Sequence, residues 1–151
     1  MKTTLNAPLF NPNLLLPFAA DVSKDKSNYA CEIDNHLHET EASNARSDIV
    51  DTLGQYRAIA RDGGFQDAVL ILEPTAGYER PLVRAARSIG MEVFYANTEA
   101  VKKLQVVQDG TASKSDRKDP RTILTVARVG RIMRCRDLSG RWQALRRMSD
   151  E

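Results

Sequence analysis

The spacing of apolar positions predicts three strands near the beginning of the chain. The run PFAADV, residues 17–22, is apolar enough to form a short buried strand, and the polar turn SKDKS follows it. In SNYACEI, residues 27–33, apolar residues alternate with polar ones, which is typical of a half-buried strand. Asp34 and Asn35 favour a tight hairpin turn, so HLHETEA, residues 36–42, is expected to return as a third strand near the sheet edge.

Helical spacing follows between residues 47 and 61, and the glycine pair at 63–64 is expected to end that helix. The next segment, DAVLILE at residues 67–73, is a continuous apolar run of strand length that ends in the carboxylate of Glu73. Such runs are typical of strands buried on both faces of a sheet.

The second half of the chain predicts three more helices and one more strand. A helix is expected around Pro81, which is tolerated in a first turn, with Gly90 just past its end. MEVFYA, residues 91–96, predicts a fifth strand, and Asn97 or Thr98 is expected to cap the helix that follows. Another helix is expected after Pro120, and the remaining residues are basic and amphipathic.

This order of elements predicts an α/β fold with a mixed five-stranded sheet flanked by helices and a basic C-terminal helical tail. Three strands, a helix, a strand, a helix, a strand and then helices is the order of the ribonuclease H-like arrangement. Right-handed crossovers would place the fourth strand beside the first.

Length and composition favour one cytoplasmic domain that needs no covalent support. A chain of 151 residues suits a single domain with its own core. Cys31 and Cys135 are far apart in sequence and have no partner at zinc-ligand spacing, which indicates two reduced thiols. The N-terminal apolar run is broken by Pro12 and Pro17, so neither a membrane span nor a signal peptide is expected.

Charge is distributed unevenly along the chain. Residues 1–100 carry 9 basic and 14 acidic side chains, whereas residues 101–151 carry 13 basic and 6 acidic ones. Clustered Lys and Arg favour a polyanion partner because they displace the counterions condensed on phosphates. A solvated helix face with excess arginine is an equally good interpretation of the charge alone.

Two carboxylates are expected to meet at the sheet. If the first and fourth strands are parallel neighbours, Asp21 and Glu73 come from adjacent strand ends, where open sheets of this kind build their sites. A carboxylate that ends an apolar strand needs solvent, a donor or a cation. The alternative is that Glu73 caps the next helix or pairs with Arg80.

A second pair of carboxylates lies in the segment SKSDRKDPRTI, residues 113–123. Asp116 and Asp119 are three residues apart and would share one side of a helical turn. Four converging carboxylates require cations between them, and Mg²⁺ is the hard ion that suits oxygen ligands. Arg117 and Lys118 would then face a phosphate backbone. The alternative is that Asp119 is the N-cap of the helix begun by Pro120 and Asp116 is merely solvated.

Other site chemistries find little support in the sequence. The glycines form neither a P-loop nor a dinucleotide-binding run, and the first hairpin turn lacks the glycine of ATP-binding relatives of this fold. His36 and His38 lie in one strand without a cysteine or carboxylate array, and Ser23 has no nearby histidine base. Nucleotide-binding and hydrolase-triad proteins are therefore disfavoured.

Three blocks of the sequence resemble a known family in order and spacing. FAADVSKD, LILEPTAGYERPLVRAARSIGMEVFYAN and SKSDRKDPRTI are similar to blocks of the N-terminal catalytic domain of the IS110 (IS one-ten) family of insertion-sequence transposases, relatives of the pilin-gene invertases. The similarity covers about residues 18–135, and KSDRKD is its most specific block.

The resemblance implies a RuvC-like fold, as in Holliday-junction resolvases, with an Asp-Glu-Asp-Asp (DEDD) tetrad that binds Mg²⁺, two ions in all. Family members cut and rejoin DNA, with a structured guide (bridge) RNA in characterised cases, and work as homo-oligomers. The tetrad maps onto four residues of this chain: Asp21, Glu73, Asp116 and Asp119. The expected nucleic-acid contacts are Lys114, Arg117, Lys118 and Arg121.

The chain departs from the family pattern in two important ways. Pro120 replaces the usual alanine, and because a proline disfavours helical geometry in the preceding residue, Asp119 is expected at the helix start. The family continues into a second domain that supplies a serine. We therefore expect an N-terminal extension at 1–16, a catalytic domain at 17–135 and the start of a truncated helical linker at 136–151.

Two functions follow as hypotheses from the sequence. The first is a transposase catalytic domain for Mg²⁺-dependent cleavage and rejoining of DNA in the transposition of an insertion sequence. The second is an inactive remnant that binds DNA, RNA or full-length transposase. Binding that falls steeply with salt but ignores Mg²⁺ would favour the second.

Overall fold

A computed structural model describes residues 9–109 and 119–135. Its six strands are β1 (Leu15–Val22), β2 (Lys26–Ile33), β3 (His36–Ser43), β4 (Asp67–Leu72), β5 (Val93–Ala96) and β6 (Ile132–Arg134). Its helices are α1 (Arg46–Asp62), α2 (Arg80–Ser88), α3 (Thr98–Asp109) and α4 (Pro120–Arg128). All five strands predicted from the sequence are present.

The strands form one mixed sheet in the order β3-β2-β1-β4-β5-β6. The strands β1, β2 and β3 form an antiparallel meander, and β1, β4 and β5 are parallel to one another. The fourth strand therefore lies beside the first, as the right-handed crossover rule predicts. Helices cover the sheet, and the arrangement is the ribonuclease H-like fold expected from the sequence.

Local sequence signals explain where the elements begin and end. Asp34 and Asn35 both have positive φ, 51° and 65°, which is the backbone of a two-residue hairpin turn between β2 and β3. Asn97 caps α3, since its Oδ1 accepts the Ala100 N–H at 2.9 Å. Gly90, at φ 77°, lies two residues past the end of α2 and supplies a conformation that other residues avoid.

The strand β4 is buried on both faces, as its continuous apolar run predicts. Its residues Leu70 and Leu72 belong to a core shared with α1 and α2, whereas Val69 and Ile71 belong to a second core shared with α3 and α4. All four side chains are buried. The central strands are therefore held between two helical layers, which gives their carboxyl ends a fixed position.

The sheet has six strands, one more than predicted. The segment Ile132–Arg134 pairs antiparallel with β5, and Cys135 extends the contact by donating its N–H to the Val93 carbonyl oxygen at 3.0 Å. Three residues with two exposed side chains carry no alternation that could distinguish a strand from a basic helix. The predicted helical tail at 136–151 lies outside the described residues.

Arg134 connects β6 to the beginning of the described chain. Its Nη2 donates to the Leu9 carbonyl oxygen at 3.3 Å, and its Nη1 pairs with Glu92 at 3.2 Å. The guanidinium also lies 5.3 Å from the centre of the Phe94 ring, within the range of a cation–π contact. Leu9 and Arg134, near the two ends of the described chain, therefore meet at the β5–β6 edge.

The cysteines agree with the sequence-based interpretation. Cys31 and Cys135 are both free and buried. Burial raises the pKa of Cys31 to about 11, so its thiol stays protonated at neutral pH. Among residues 9–109 and 119–135, no helix has the length and apolar character needed to cross a membrane.

Candidate metal and nucleic-acid site

Asp21 and Glu73 lie at the carboxyl ends of two adjacent parallel strands. The register pairs Ala20 of β1 with Leu72 of β4, so each carboxylate follows one member of that pair directly. Both residues are buried, with Asp21 7% and Glu73 4% exposed. The structure thus brings together the first two residues of the predicted tetrad.

Their burial has a cause in the surrounding strands. The two residues before each carboxylate are completely buried, so each carboxylate directly follows a segment of the core. These residues are Ala19-Ala20 and Ile71-Leu72. Ionised carboxylates in such surroundings are stabilised only by donors or cations, because desolvation of the charge is expensive. The strand ends are therefore a place where a cation would be stabilising.

Asp119 is the N-cap of α4. Its φ and ψ, −122° and 123°, are extended, which is the conformation that the ring of Pro120 imposes on the preceding residue. Its Oδ1 accepts the backbone N–H of Arg121 at 2.9 Å. The prediction that Pro120 places Asp119 at the helix start is therefore confirmed.

The guanidinium of Arg121 also binds the Asp119 carboxylate. Its Nη2 donates to Oδ2 at 2.7 Å, and its Nε donates to both carboxylate oxygens at 3.0–3.2 Å. Burial of Asp119 raises its carboxyl pKa, but the hydrogen bonds and charge of Arg121 outweigh that effect and hold the pKa below its usual value. Asp119 is thus an anion whose strongest described partner is the arginine two residues later.

The rest of the predicted charged segment lies outside the described residues. This applies to Lys114, Asp116, Arg117 and Lys118. Within the described ranges, no three His, Cys, Asp or Glu side chains lie close enough together to hold a metal ion. Asp119 therefore does not join Asp21 and Glu73 in a three-ligand cluster in this conformation.

Three described arginines of the last third, Arg121, Arg128 and Arg134, pair with acidic side chains. Arg121 lies 3.8 Å from Glu39 in addition to its contact with Asp119. Arg128 pairs with Glu32 at 3.1 Å across the sheet. These pairs are about half exposed, so they contribute little stability, and a polyanion could compete for their arginines.

The carboxylates that lie in the site suit one class of metal. Asp21 and Glu73 supply only hard oxygen donors, and the described residues place neither free cysteine at these strand ends. Oxygen-only donors favour Mg²⁺ or Ca²⁺ over the softer transition metals. The donor set therefore fits a hard divalent ion of the kind that the tetrad implies, and a third ligand would still be needed.

Sequence reasoning missed the residue that organises the loop between β4 and α2. Glu79 is buried, and its Oε1 accepts hydrogen bonds from the Thr75 hydroxyl at 2.9 Å, the Gly77 N–H at 3.2 Å and the Thr75 N–H at 3.3 Å. Gly77 has φ 101°, a region that favours glycine. The only sequence signal was the Thr-x-Gly-x-Glu spacing, which is too common to be specific.

Comparison with known proteins identifies a family match and distant structural similarity. A family model described as a transposase, DEDD_Tnp_IS110, matches residues 18–151. The sequence matches no curated protein.

Among solved structures, RuvC of T. thermophilus, in complex with Holliday junction substrate, has a TM-score of 0.42 and 10% identity, over 80% of this chain and 99% of that one. YeaZ of Pseudomonas aeruginosa has a TM-score of 0.41 and 12% identity, over 64% of this chain. The Aquifex aeolicus PPX-GPPA enzyme has a TM-score of 0.38 and 13% identity, over 63% of this chain. The chain spans 50% of the YeaZ chain and 41% of the PPX-GPPA chain.

Proposed function

Because this chain belongs to the IS110-type DEDD family of transposases, we propose that it is the Mg²⁺-dependent catalytic domain with which such a transposase cleaves and rejoins DNA strands. The observation that carries the proposal is the position of Asp21 and Glu73, buried side by side at the carboxyl ends of β1 and β4. Residues 17–135 would form this domain, after an extension at 1–16 and before a linker at 136–151.

Asp21 and Glu73 would hold the first divalent cation, with Asp116 as the next ligand. Bound there, Mg²⁺ would stabilise the attacking and leaving oxygens of an in-line displacement at a phosphodiester. The protein's own contribution is rigidity, because both carboxylates extend from strands that are packed on both faces. Fixed carboxylates are not reorganised when charge develops at the reacting phosphate.

Asp119 would be the tetrad ligand that has to give up an existing partner before it can bind a metal. Its carboxylate is already bound by the Arg121 guanidinium through three hydrogen bonds. To bind a cation, it would have to exchange that ion pair for the metal while keeping its bond to the Arg121 N–H. The released guanidinium would then be available to a phosphate, as its expected role in nucleic-acid binding requires.

DNA is the proposed substrate, with a structured guide (bridge) RNA and further copies of the chain as partners in the complete transposase. The support for DNA is the family and the positive charge of residues 101–151, which contain 13 basic and only 6 acidic side chains. The support for the RNA and for oligomers is the resemblance to the family. The cytoplasm is the proposed location.

Titration with Mg²⁺ tests the metal site independently of catalysis. Isothermal calorimetry on the wild type should show binding heat that Asp21→Asn and Glu73→Gln abolish. Asp25→Asn is the matched control, since Asp25 is exposed in the turn only four residues after Asp21. Equal heats from wild type and Asp21→Asn would remove the basis of the proposal.

The second candidate is a nucleic-acid-binding domain that no longer cleaves. The observation in its favour is that Asp119 is bound by Arg121 instead of joining the other carboxylates. In that case DNA or RNA binding would fall steeply with salt, as phosphate contacts require. It would also be indifferent to Mg²⁺ and would survive Asp21→Asn.

A further inference from the structure

We infer that Tyr78 is a stacking platform for a base of the nucleic acid. Its ring lies on a hydrogen-bonded loop that follows the carboxylate of Glu73. The inference rests on the proposed function for the class of ligand, and it adds a contact residue outside the tetrad. The loop is residues 73–79, between β4 and α2, and we call it the Glu73 loop. It is the segment that leads directly away from the buried carboxylate.

The first support is the exposure of the Tyr78 ring on the loop that follows Glu73. Tyr78 is 46% exposed, whereas the other three tyrosines, Tyr29, Tyr56 and Tyr95, are buried or half-buried. A single exposed aromatic residue is ordinary on a protein surface. Near a phosphodiester site, an exposed aromatic ring has a specific use, because every nucleobase offers a flat face for stacking.

The second support is the internal order of the Glu73 loop. The buried carboxylate of Glu79 accepts from both the N–H and the hydroxyl of Thr75, and from the N–H of Gly77, so one side chain closes the loop. The Gly77 N–H also donates to the Thr75 carbonyl oxygen at 2.6 Å. Tyr78 lies between two of these anchored residues, Gly77 and Glu79, so its backbone has little freedom to lose on binding a base.

The third support is a cation directly after the loop, at the first residue of α2. Arg80 is exposed, and its Nε lies 3.7 Å from the position that a Cβ on Gly77 would occupy. The guanidinium therefore folds back over the loop, at ordinary contact distance from that position. An aromatic face next to a cation matches a base and its adjoining phosphate, which is the usual composition of a single-strand binding surface.

Chain length limits how far Tyr78 can be from the carboxylates. Tyr78 is five positions after Glu73 in the chain, so their Cα atoms are at most about 18 Å apart even if the chain were extended. That distance corresponds to about five nucleotides at about 3.4 Å each. The stacked base therefore belongs to the same few nucleotides as the phosphate at the carboxylates.

Binding of a fluorescein-labelled oligothymidine of twelve nucleotides, measured by anisotropy in EDTA, tests the inference without the metal. Loss of a stacking contact should weaken binding by Tyr78→Ala about 5-fold to 150-fold. Tyr78→Phe keeps the ring and should remain within about twofold of the wild type. Leu37→Ala is the matched control, since Leu37 is 41% exposed on the edge strand β3, three strands away from β4.

Photocrosslinking identifies the contact directly. An oligonucleotide with 5-iodouracil at each position in turn should crosslink to Tyr78 from one or two adjacent positions, as read by mass spectrometry of the tryptic peptide. Wild-type affinity in Tyr78→Ala, no oligonucleotide binding by the wild type, or crosslinks only to other residues would each overturn the inference.

Failure of this inference and failure of the proposed function give different results. If Asp21→Asn abolishes Mg²⁺ binding while Tyr78→Ala keeps full affinity, the metal site stands and the stacking platform is wrong. If Tyr78→Ala loses affinity and the crosslink but no variant changes Mg²⁺ binding, the platform stands and the metal-dependent function is wrong.

Discussion

Asp119 receives both the backbone N–H and the guanidinium of Arg121, at 2.9 Å and 2.7 Å. One carboxylate thus caps α4 and forms an ion pair within the same turn. Both bonds come from the same residue because Pro120 holds Asp119 in an extended conformation that turns its side chain toward the helix start. The residue proposed as the last metal ligand is therefore also a structural residue, and the two roles can be separated by experiment.

Substitution of Asp119 should separate the cap from the metal. Asp119→Ala should lower the free energy of unfolding by about 0.5–2 kcal/mol, because the Arg121 N–H loses its acceptor. Asp119→Asn keeps a good cap and should cost much less, while removing a charged ligand. Urea unfolding at pH 7 measures both, and Asp51→Ala, on the exposed side of α1, is the control. Equal losses in the two variants would contradict a capping role.

The same carboxylate predicts a dependence of stability on pH. Since the folded pKa of Asp119 lies below its ordinary value of 3.8, its stabilising contribution is present above that value and is lost as the pH falls through the folded pKa. The difference in unfolding free energy between wild type and Asp119→Asn should therefore shrink between pH 5 and pH 2. A difference that stays constant over that range would show that the ion pair with Arg121 does not stabilise the fold.

The aromatic core predicts a loss of stability in alkali. Burial raises the pKa of Tyr29 and of Tyr56 from 10.0 to about 12. Because the folded values are raised, this contribution is complete below pH 10 and is lost as the pH rises through 12. Tyr56→Phe, which keeps the stack on Phe18 at 4.7 Å, should reduce the loss measured between pH 9 and pH 11. An unchanged slope in that variant would contradict the assignment.

Arg57 should be the ion-pair residue with the largest effect on stability. It donates to both oxygens of Asp67 at 2.9–3.0 Å and to the Ile89 carbonyl oxygen at 2.8 Å, joining α1, β4 and the end of α2. Its side chain is 21% exposed, and Arg57→Ala should cost about 1.5–3 kcal/mol, the range for hydrogen bonds to charged groups.

The exposed pair Lys26–Glu41 is the comparison for Arg57. Its side chains are 59% and 58% exposed, so Lys26→Ala should cost less than about 1 kcal/mol. Thermal or urea unfolding of the two variants measures the contrast. Equal effects would mean that the bidentate geometry of Arg57 contributes nothing beyond an ordinary surface charge pair.

The Glu73 loop gives a fifth prediction. Glu79→Ala removes the acceptor of the Thr75 and Gly77 groups, so amide hydrogen exchange at residues 75–77 should accelerate strongly while exchange in β1 and β4 changes little. Glu92→Ala is the control, since Glu92 is exposed and lies outside the loop. Unchanged exchange at residue 77 in Glu79→Ala would mean that the loop is held by other contacts.

The sequence was sufficient where a residue's own conformational preference or apolar pattern decides the structure. The run before Glu73 predicted a strand buried on both faces, and the right-handed crossover rule placed that strand beside β1, so that Glu73 meets Asp21. The cap at Asp119 followed from the ring of Pro120 alone. In both cases the determining interaction is local in sequence or is imposed by burial.

Prediction failed where structure depends on partners distant in sequence. The strand β6 exists because β5 offers an edge about 40 residues earlier, and its three residues have no periodicity of their own. The hydrogen bonds of Glu79 with Thr75 and Gly77 depend on a loop conformation that the residue types alone do not predict. The positions of Lys114, Asp116, Arg117 and Lys118 relative to the site stay predictions.

The bond from Arg134 to the Leu9 carbonyl has a mechanical consequence. Tension applied between the two ends of the described chain would be carried first by this bond and by the three-residue β5–β6 ladder. Antiparallel strands loaded at one end separate one rung at a time, so the three-residue β6 would unzip before the longer central pairs separate. The β1–β4 pair, with its two carboxylates, would thus outlast the β5–β6 edge under such a load.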